Sequence, residues 1–268
     1  MAVGQEQGRG RETVIAVRGL VNRFDTHTVH QGLDLDVYRG EVLGVVGGSG
    51  TGKSVLLRTI IGLNHAVAGS IDLLGTDMIK GDPEELRAVR QRFGVLFQDG
   101  ALFSSLTVAQ NIQVPLKEFY DLPQDLLDEI AAAKVHMVGL PTDAADKYPA
   151  ELSGGMRKRA GLARALALDP EVVFFDEPTA GLDPIGAAAF DQLVRDLQQA
   201  LGLTVFMVTH DLDSLYAICD RIAVLAEKKV LLTGPMETML QSEHPWVVEY
   251  FHGPRARAAA ITAAMDKR

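Results

Sequence analysis

The sequence predicts an α/β fold, with a mainly parallel sheet, an antiparallel β-subdomain and an inserted helical subdomain. Three observations carry this prediction. From residue 13 onward, short β-rich runs alternate with longer helical patterns, the order expected of parallel strands joined by crossover helices. The run "EVLGVVG" (41–47) is almost wholly apolar, as a strand covered on both faces must be. Between Gln98 and Ser153 the β signal lapses, and "DLLDEIAAAKVHMVGL" reads as helix.

Taken in order, "TVIAVRGL" (13–20) is the first expected strand. "LDLDVYRGE" (33–41) alternates Leu33, Leu35 and Val37 with Asp34, Asp36 and Tyr38, which suits a half-exposed antiparallel strand. Further strands are expected at 93–98, 171–177, 203–210, 221–227 and 229–234. Three of them finish on polar residues, namely Gln98, Asp176 with Glu177, and His210. In an open α/β sheet, ligands collect at the carboxyl ends of strands.

Bulk properties exclude several classes. The chain has 268 residues, 47% hydrophobic and 23% charged, with a net charge of −9, so nucleic-acid binding is not expected beyond a local patch such as Arg157, Lys158 and Arg159. The single cysteine, Cys219, excludes an internal disulfide and reads as a structural thiol. No window is long and apolar enough to span a bilayer. "MAVGQEQGRGRE" lacks the apolar stretch of a secretory signal and is expected to be a disordered leader, residues 1–12.

The chemistry begins at "GGSGTGKS". Gly47, Gly48, Ser49, Gly50, Thr51, Gly52, Lys53 and Ser54 match G-x-x-x-x-G-K-[ST] and stand between an apolar strand and the helical run "SVLLRTIIGL". Glycines let backbone N–H groups close on phosphate oxygens, and the helix start adds partial positive charge. Lys53 is placed to reach the β- and γ-phosphates, and the Ser54 hydroxyl to ligate Mg²⁺. The α/β body is therefore expected to bind nucleotide phosphate, and a P-loop alone fits kinases and GTPases as well as a P-loop ATPase core. "VVFFDEP" adds Asp176 at a strand end for the metal shell, and Glu177 beside it to orient or deprotonate an attacking water.

"AELSGGMRKRAGLARAL" (150–166) holds a second glycine-rich helix start, with Ser153 as its cap followed by Gly154 and Gly155. Alone, His210 reads as a histidine bonded to backbone, and Gln98 as an amide closing a strand end.

Together, "GGSGTGKS", Gln98, "LSGGM", "VVFFDEPTAGLDP" and His210, in this order, resemble the nucleotide-binding subunit of ATP-binding cassette transporters over about residues 13–240. The resemblance implies ATP and Mg²⁺ as cofactors, with Gln98 as a mobile sensor of Mg²⁺ and the attacking water. It makes His210 the γ-phosphate switch, and Gly181, Leu182 and Asp183 a loop between subunits. Phe24 falls where an aromatic stacks on adenine, although a core phenylalanine reads as well there. Two copies are implied to face head to tail, with Ser153, Gly154 and Gly155 of one closing over ATP held by the other.

"LFQDGALFSSLTVAQNI", "LSGGMRKRAGLARAL" and "FFDEPTAGLDPI" further resemble the Mla, toluene-tolerance and mammalian-cell-entry cassettes. Met156 stands where the signature usually has glutamine. The implied partners are an integral-membrane permease, a mammalian-cell-entry-domain protein and a STAS-domain protein, with phospholipid as cargo. The implied location is the cytoplasmic face of an inner membrane. Phe97, Leu102 and Phe103 offer either a surface for a permease helix or filling for the subdomain core. The alternatives are a small-solute importer cassette and a non-transport ATPase of the same class. The expected domain plan is the leader, an ATPase domain at 13–240 with its helical subdomain at about 99–165, and a C-terminal extension at 241–268.

Overall fold

The computed structural model describes residues 10–253. Most of the expected leader 1–12 and the basic end of the extension 241–268 lie outside them.

The chain opens with β1 (Thr13–Phe24), β2 (His27–Tyr38), β3 (Val42–Gly47) and α1 (Lys53–Ile60). Then come β4 (Ala68–Leu73), β5 (Thr76–Asp77), α2 (Pro83–Arg90) and β6 (Phe93–Leu96). Helices α3 (Val108–Phe119), α4 (Gln124–Met137) and α5 (Gly154–Ala165) precede β7 (Val172–Asp176) and α6 (Pro184–Leu201). The rest is β8 (Thr204–Val208), α7 (Leu212–Ile218), β9 (Arg221–Ala226), β10 (Lys229–Gly234), α8 (Met236–Leu240) and α9 (Pro245–His252). These elements form two compact bodies, one running to Val89 and resuming at Thr204, the other Arg90–Leu203.

The first body holds an antiparallel sheet in the order β2-β1-β4-β5. Its register pairs Val17 with Leu35 and Leu20 with Leu33, which puts the alternating apolar residues of both strands on one buried face. The sequence announced β2 but not β4 and β5. Their turn uses Leu74 and Gly75, both at positive φ, rather than the Asn-Gly pair that marks such hairpins. Beside this sheet the same body carries β10-β9-β3-β8, with β3 parallel to both β8 and β9. All six residues of β3 are buried, as its apolar run requires.

The second body pairs β6 with β7 in parallel, Leu96 opposite Phe175, and packs α3, α4 and α5 against one another. Thr107 and Gln110 form a reciprocal capping box at the start of α3. α6 opens with Pro184 behind the Asp183 cap and stops at Gly202, in the left-handed region. Gly94 on β6 lies against the Ala165 carbonyl of α5, where no side chain would fit. The expected helical segment 99–165 lies inside this body.

Several strands are shorter than their apolar runs. β6 ends at Leu96 and β8 at Val208, so Gln98 and His210 each stand two residues beyond a strand. The chain turns at once there, with Gly100 N–H bonding the Phe97 carbonyl at 2.8 Å.

Candidate nucleotide site

The phosphate loop leaves the buried end of β3. Gly50 and Gly52 take positive φ of 77° and 94°, a conformation glycine adopts without steric cost, and Gly52 is the N-cap of α1. A side chain at Gly47 would meet the Leu225 carbonyl, and one at Gly52 would strike Val29 and His30. Lys53 arches back over the loop, its Nζ donating to the carbonyls of Gly47 at 2.8 Å and Gly48 at 3.1 Å. Thr51 Oγ1 closes the turn on the Gly48 carbonyl at 2.9 Å. Ser49 and Gly50 are exposed, and Ser54 is half-buried at the start of α1.

His210 follows β8, which runs parallel to β3 in the register Val45 opposite Val208. The P-loop and His210 therefore leave the same edge of neighbouring strands. Thr209 N–H bonds the Val45 carbonyl at 3.2 Å, tying the two strand ends together. Phe24 ends β1 and is 46% exposed, open enough to stack on a base and too open to be a core residue.

Beneath the loop lies a polar chain that the sequence did not signal. Fully buried His30 bonds Asn22 Oδ1 through Nδ1 at 2.9 Å, and Asn22 Nδ2 donates to Thr59 Oγ1 at 3.1 Å. Because the amide donates to Thr59, its oxygen faces the ring and fixes the Nδ1–H tautomer. Burial lowers the His30 pKa to about 4. Nε2 is buried with no hydrogen-bond partner and points at the Gly52 side of the loop.

The carboxylate side of the chemistry belongs to the second body. Asp176 is the last residue of β7 and is 5% exposed. Glu177 follows at φ 52°, a left-handed conformation that is costly for a side chain of this size and concentrates at functional sites. Gln98 lies exposed just beyond β6, the strand paired with β7. Parallel pairing thus delivers Gln98, Asp176 and Glu177 to one edge.

Lys158 connects these parts. Its side chain is buried, and Nζ donates to the Gln98 carbonyl and, at 3.1 Å, to the Glu177 carbonyl. Burial lowers its pKa, while Asp99, Glu177 and Asp176 act in the opposite direction. The anticipated basic patch at 157–159 is therefore dispersed. Arg157 bonds the Leu152 carbonyl and Arg159 the Val138 carbonyl, both at 2.8 Å.

Ser153 caps α5, accepting from Met156 N–H at 3.3 Å, and Gly154 is exposed beside it. Leu182 lies about 4 Å from where side chains on Gly154 and Gly155 would begin. Asp183 caps α6, accepting from Gly186 N–H at 2.9 Å. Cys219 is half-buried, its Sγ packed against Gly44.

The profile of the ABC transporter family matches residues 30–180. The chain belongs to the ABC transporter family. It carries that family's ATPase cassette, and this establishes nucleotide as its ligand. It is 39% identical over 99% of its length to the probable ribonucleotide transport ATP-binding protein mkl of Mycobacterium leprae, covering 76% of that protein. Identity is 38% to the intermembrane phospholipid transport ATP-binding protein MlaF of Haemophilus influenzae, over 90% of this chain and 91% of that one. It is 41% to the methionine import protein MetN of Lacticaseibacillus paracasei, over 79% of this chain but 60% of that one. Among solved structures, a dimeric bacterial ABC transporter cassette superposes with a TM-score of 0.76 at 28% identity, over 82% of this chain and 98% of that one. A dimeric cassette in a post-hydrolysis state with ADP and phosphate superposes with a TM-score of 0.75 at 27% identity, over the same shares.

Proposed function

We propose that this cassette binds and hydrolyses ATP to drive phospholipid movement between two bacterial membranes through a separate permease. The observation that carries the cargo is one of extent. The match to the phospholipid cassette of Haemophilus influenzae spans nine-tenths of both chains, whereas the probable ribonucleotide and the methionine import proteins are matched over 76% and 60% of their own lengths. The signature ending in Met156 and the run from Gln98 to Ile112 point the same way.

In this reading Gly47 to Ser54 hold the triphosphate and Phe24 the adenine. Glu177 orients or deprotonates the attacking water, and His210 meets the γ-phosphate. Among the described residues no three His, Cys, Asp or Glu side chains form a self-sufficient metal cage. The hydroxyl of Ser54, the amide of Gln98 and the buried carboxylate of Asp176 suit Mg²⁺, which favours oxygen ligands and keeps water and phosphate in its shell. Bound there, Mg²⁺ would neutralise charge on the β- and γ-phosphates.

Ser153, Gly154 and Gly155 serve the nucleotide of a second copy, as the head-to-tail arrangement requires. Each helix start facing an anion contributes roughly 0.3–2 kcal/mol, so loss of the γ-phosphate can tilt a balanced dimer open. No described helix is long and apolar enough to cross a membrane. In this reading a permease holds the cassette at the cytoplasmic face, with a mammalian-cell-entry-domain protein and a STAS-domain protein as the further partners.

A cavity of about 330 Å³ in the second body supports permease docking. Phe93, Phe103, Val114, Pro115 and Phe119 line it, together with the charged Arg90, Glu118 and Arg164. Of Phe97, Leu102 and Phe103, the apolar residues singled out around Gln98, Phe103 lines it and is 52% exposed.

The test is to purify the complex from its native membrane and identify the bound proteins and small molecules. Phospholipid retained above the bulk-membrane background, and released by ATP, is the expected result. Retention of an amino acid or nucleotide in its place would contradict the cargo assignment.

A further inference from the structure

Helix α9 lies against the ATP site of its own chain. Its Val247 and Phe251 are buried in a cluster with Val46, Ile222, Val224 and Met239, and Val46 stands one residue before the P-loop. Trp246 and Tyr250, one helical turn apart, are half-buried and stacked, with ring centroids 4.8 Å apart and planes 14° from parallel. Phe251 holds Tyr250 edge-on at 5.0 Å.

Each end of this stack touches a different part of the candidate machinery. Tyr250 Oη donates to the His210 carbonyl at 2.9 Å. The Trp246 indole nitrogen is 3.5 Å from the point where a Gly48 side chain would begin. We propose that α9 is a clasp on the nucleotide site, in which Trp246 and Tyr250 are positioning residues that hold His210 in register with the P-loop.

The physical basis is the His210 backbone. The imidazole reaches its target only if the φ and ψ of residue 210 are fixed, and β8 has already ended two residues earlier. A hydrogen bond to the residue's own carbonyl fixes that peptide plane. The donor is a phenol with two side-chain torsions, itself locked by stacking and edge contacts, so little freedom is left to lose. Trp246 limits how far the loop can move at Gly48, where an unbranched backbone offers no resistance of its own.

This proposal rests on His210 being the γ-phosphate switch, and the experiment separates the two. The chain has one tryptophan, so the emission of the purified full-length protein reports this contact alone. Titration with ATP and Mg²⁺ is expected to change that emission saturably. Tyr250→Phe, which removes only the hydroxyl, is expected to lower kcat about two- to tenfold, the effect of one neutral hydrogen bond. KM for ATP and the thermal midpoint should stay at wild-type values, and His210→Ala should be far less active still.

Wild-type kcat in Tyr250→Phe beside an inactive His210→Ala would overturn the clasp and leave the switch standing. A fully active His210→Ala would overturn both. Trp246 emission indifferent to ATP at concentrations that saturate hydrolysis would also overturn the clasp.

Discussion

His30 shows how one residue can matter to a site without touching its ligand. Its ring sits under Gly52 with Nε2 unpartnered, and burial holds its pKa near 4 against an ordinary value of 6.5. The folded-state pKa is depressed, so the unfolded chain binds the extra proton first, and stability is lost as pH falls from about 6.5 towards 4. A shift of this size corresponds to roughly 3 kcal/mol. His30→Leu should therefore show a flatter decline than wild type when denaturant midpoints are compared at pH 7.5 and pH 4.5; an identical decline would remove His30 from the account. Nothing in "HTVHQGLDL" signals this, because a histidine in an alternating strand looks the same on either face. Lys158 was equally hidden. Between two arginines it reads as surface charge, and only the turn of α5 carries it inward to the Gln98 and Glu177 carbonyls. By contrast, the placement of Lys53, Ser54, Asp176 and Glu177 at or just beyond the ends of apolar strands was legible, and the structure puts them there.

At the scale of elements, adjacent parallel strands do the gathering. β3 and β8 bring the P-loop and His210 to one edge of the first body, and β6 and β7 bring Gln98 and the acidic pair to one edge of the second. Parallel, fully buried strands have an apolar signature that is readable directly. The hairpin β4–β5 and helix α9 were not, since one turns on Leu74-Gly75 and the other combines a short length with no side-chain cap. The helical insert supplies the cavity around Phe103. Phe103→Asp puts a charge on an exposed apolar site, which should cost little stability but would bury an unpaired carboxylate against a docked helix. The permease should then co-purify about tenfold less, with ATP hydrolysis by the isolated chain unchanged; undiminished recovery would place the docking surface elsewhere.

For the whole molecule, one P-loop and one signature in this sequence imply a working unit of two cassettes, either two copies of this chain or one copy with a homologue. Ser153 is engaged in its own chain as the α5 cap, and the glycines beside it remain the open helix start. This requirement was visible in the sequence as a redundant anion site, and the dimeric solved structures to which the chain is similar support it. The cargo was not legible to the same degree, because relatives that handle ribonucleotides, phospholipids and methionine stand at 38–41% identity. The nucleotide chemistry is common to all of them, so it constrains the site and leaves the substrate open. In the proposed function, Glu177 drives hydrolysis at a site closed by a second copy. The most direct measurement of that function is single-turnover cleavage of radiolabelled ATP by wild type and Glu177→Gln, with the association state followed in the same samples. Glu177→Gln should bind ATP and accumulate as a dimer while cleaving it about a hundredfold or more slowly, as expected on removal of a positioned base. Cleavage at the wild-type rate, or a variant that stays monomeric with ATP bound both in solution and in its membrane complex, would contradict it.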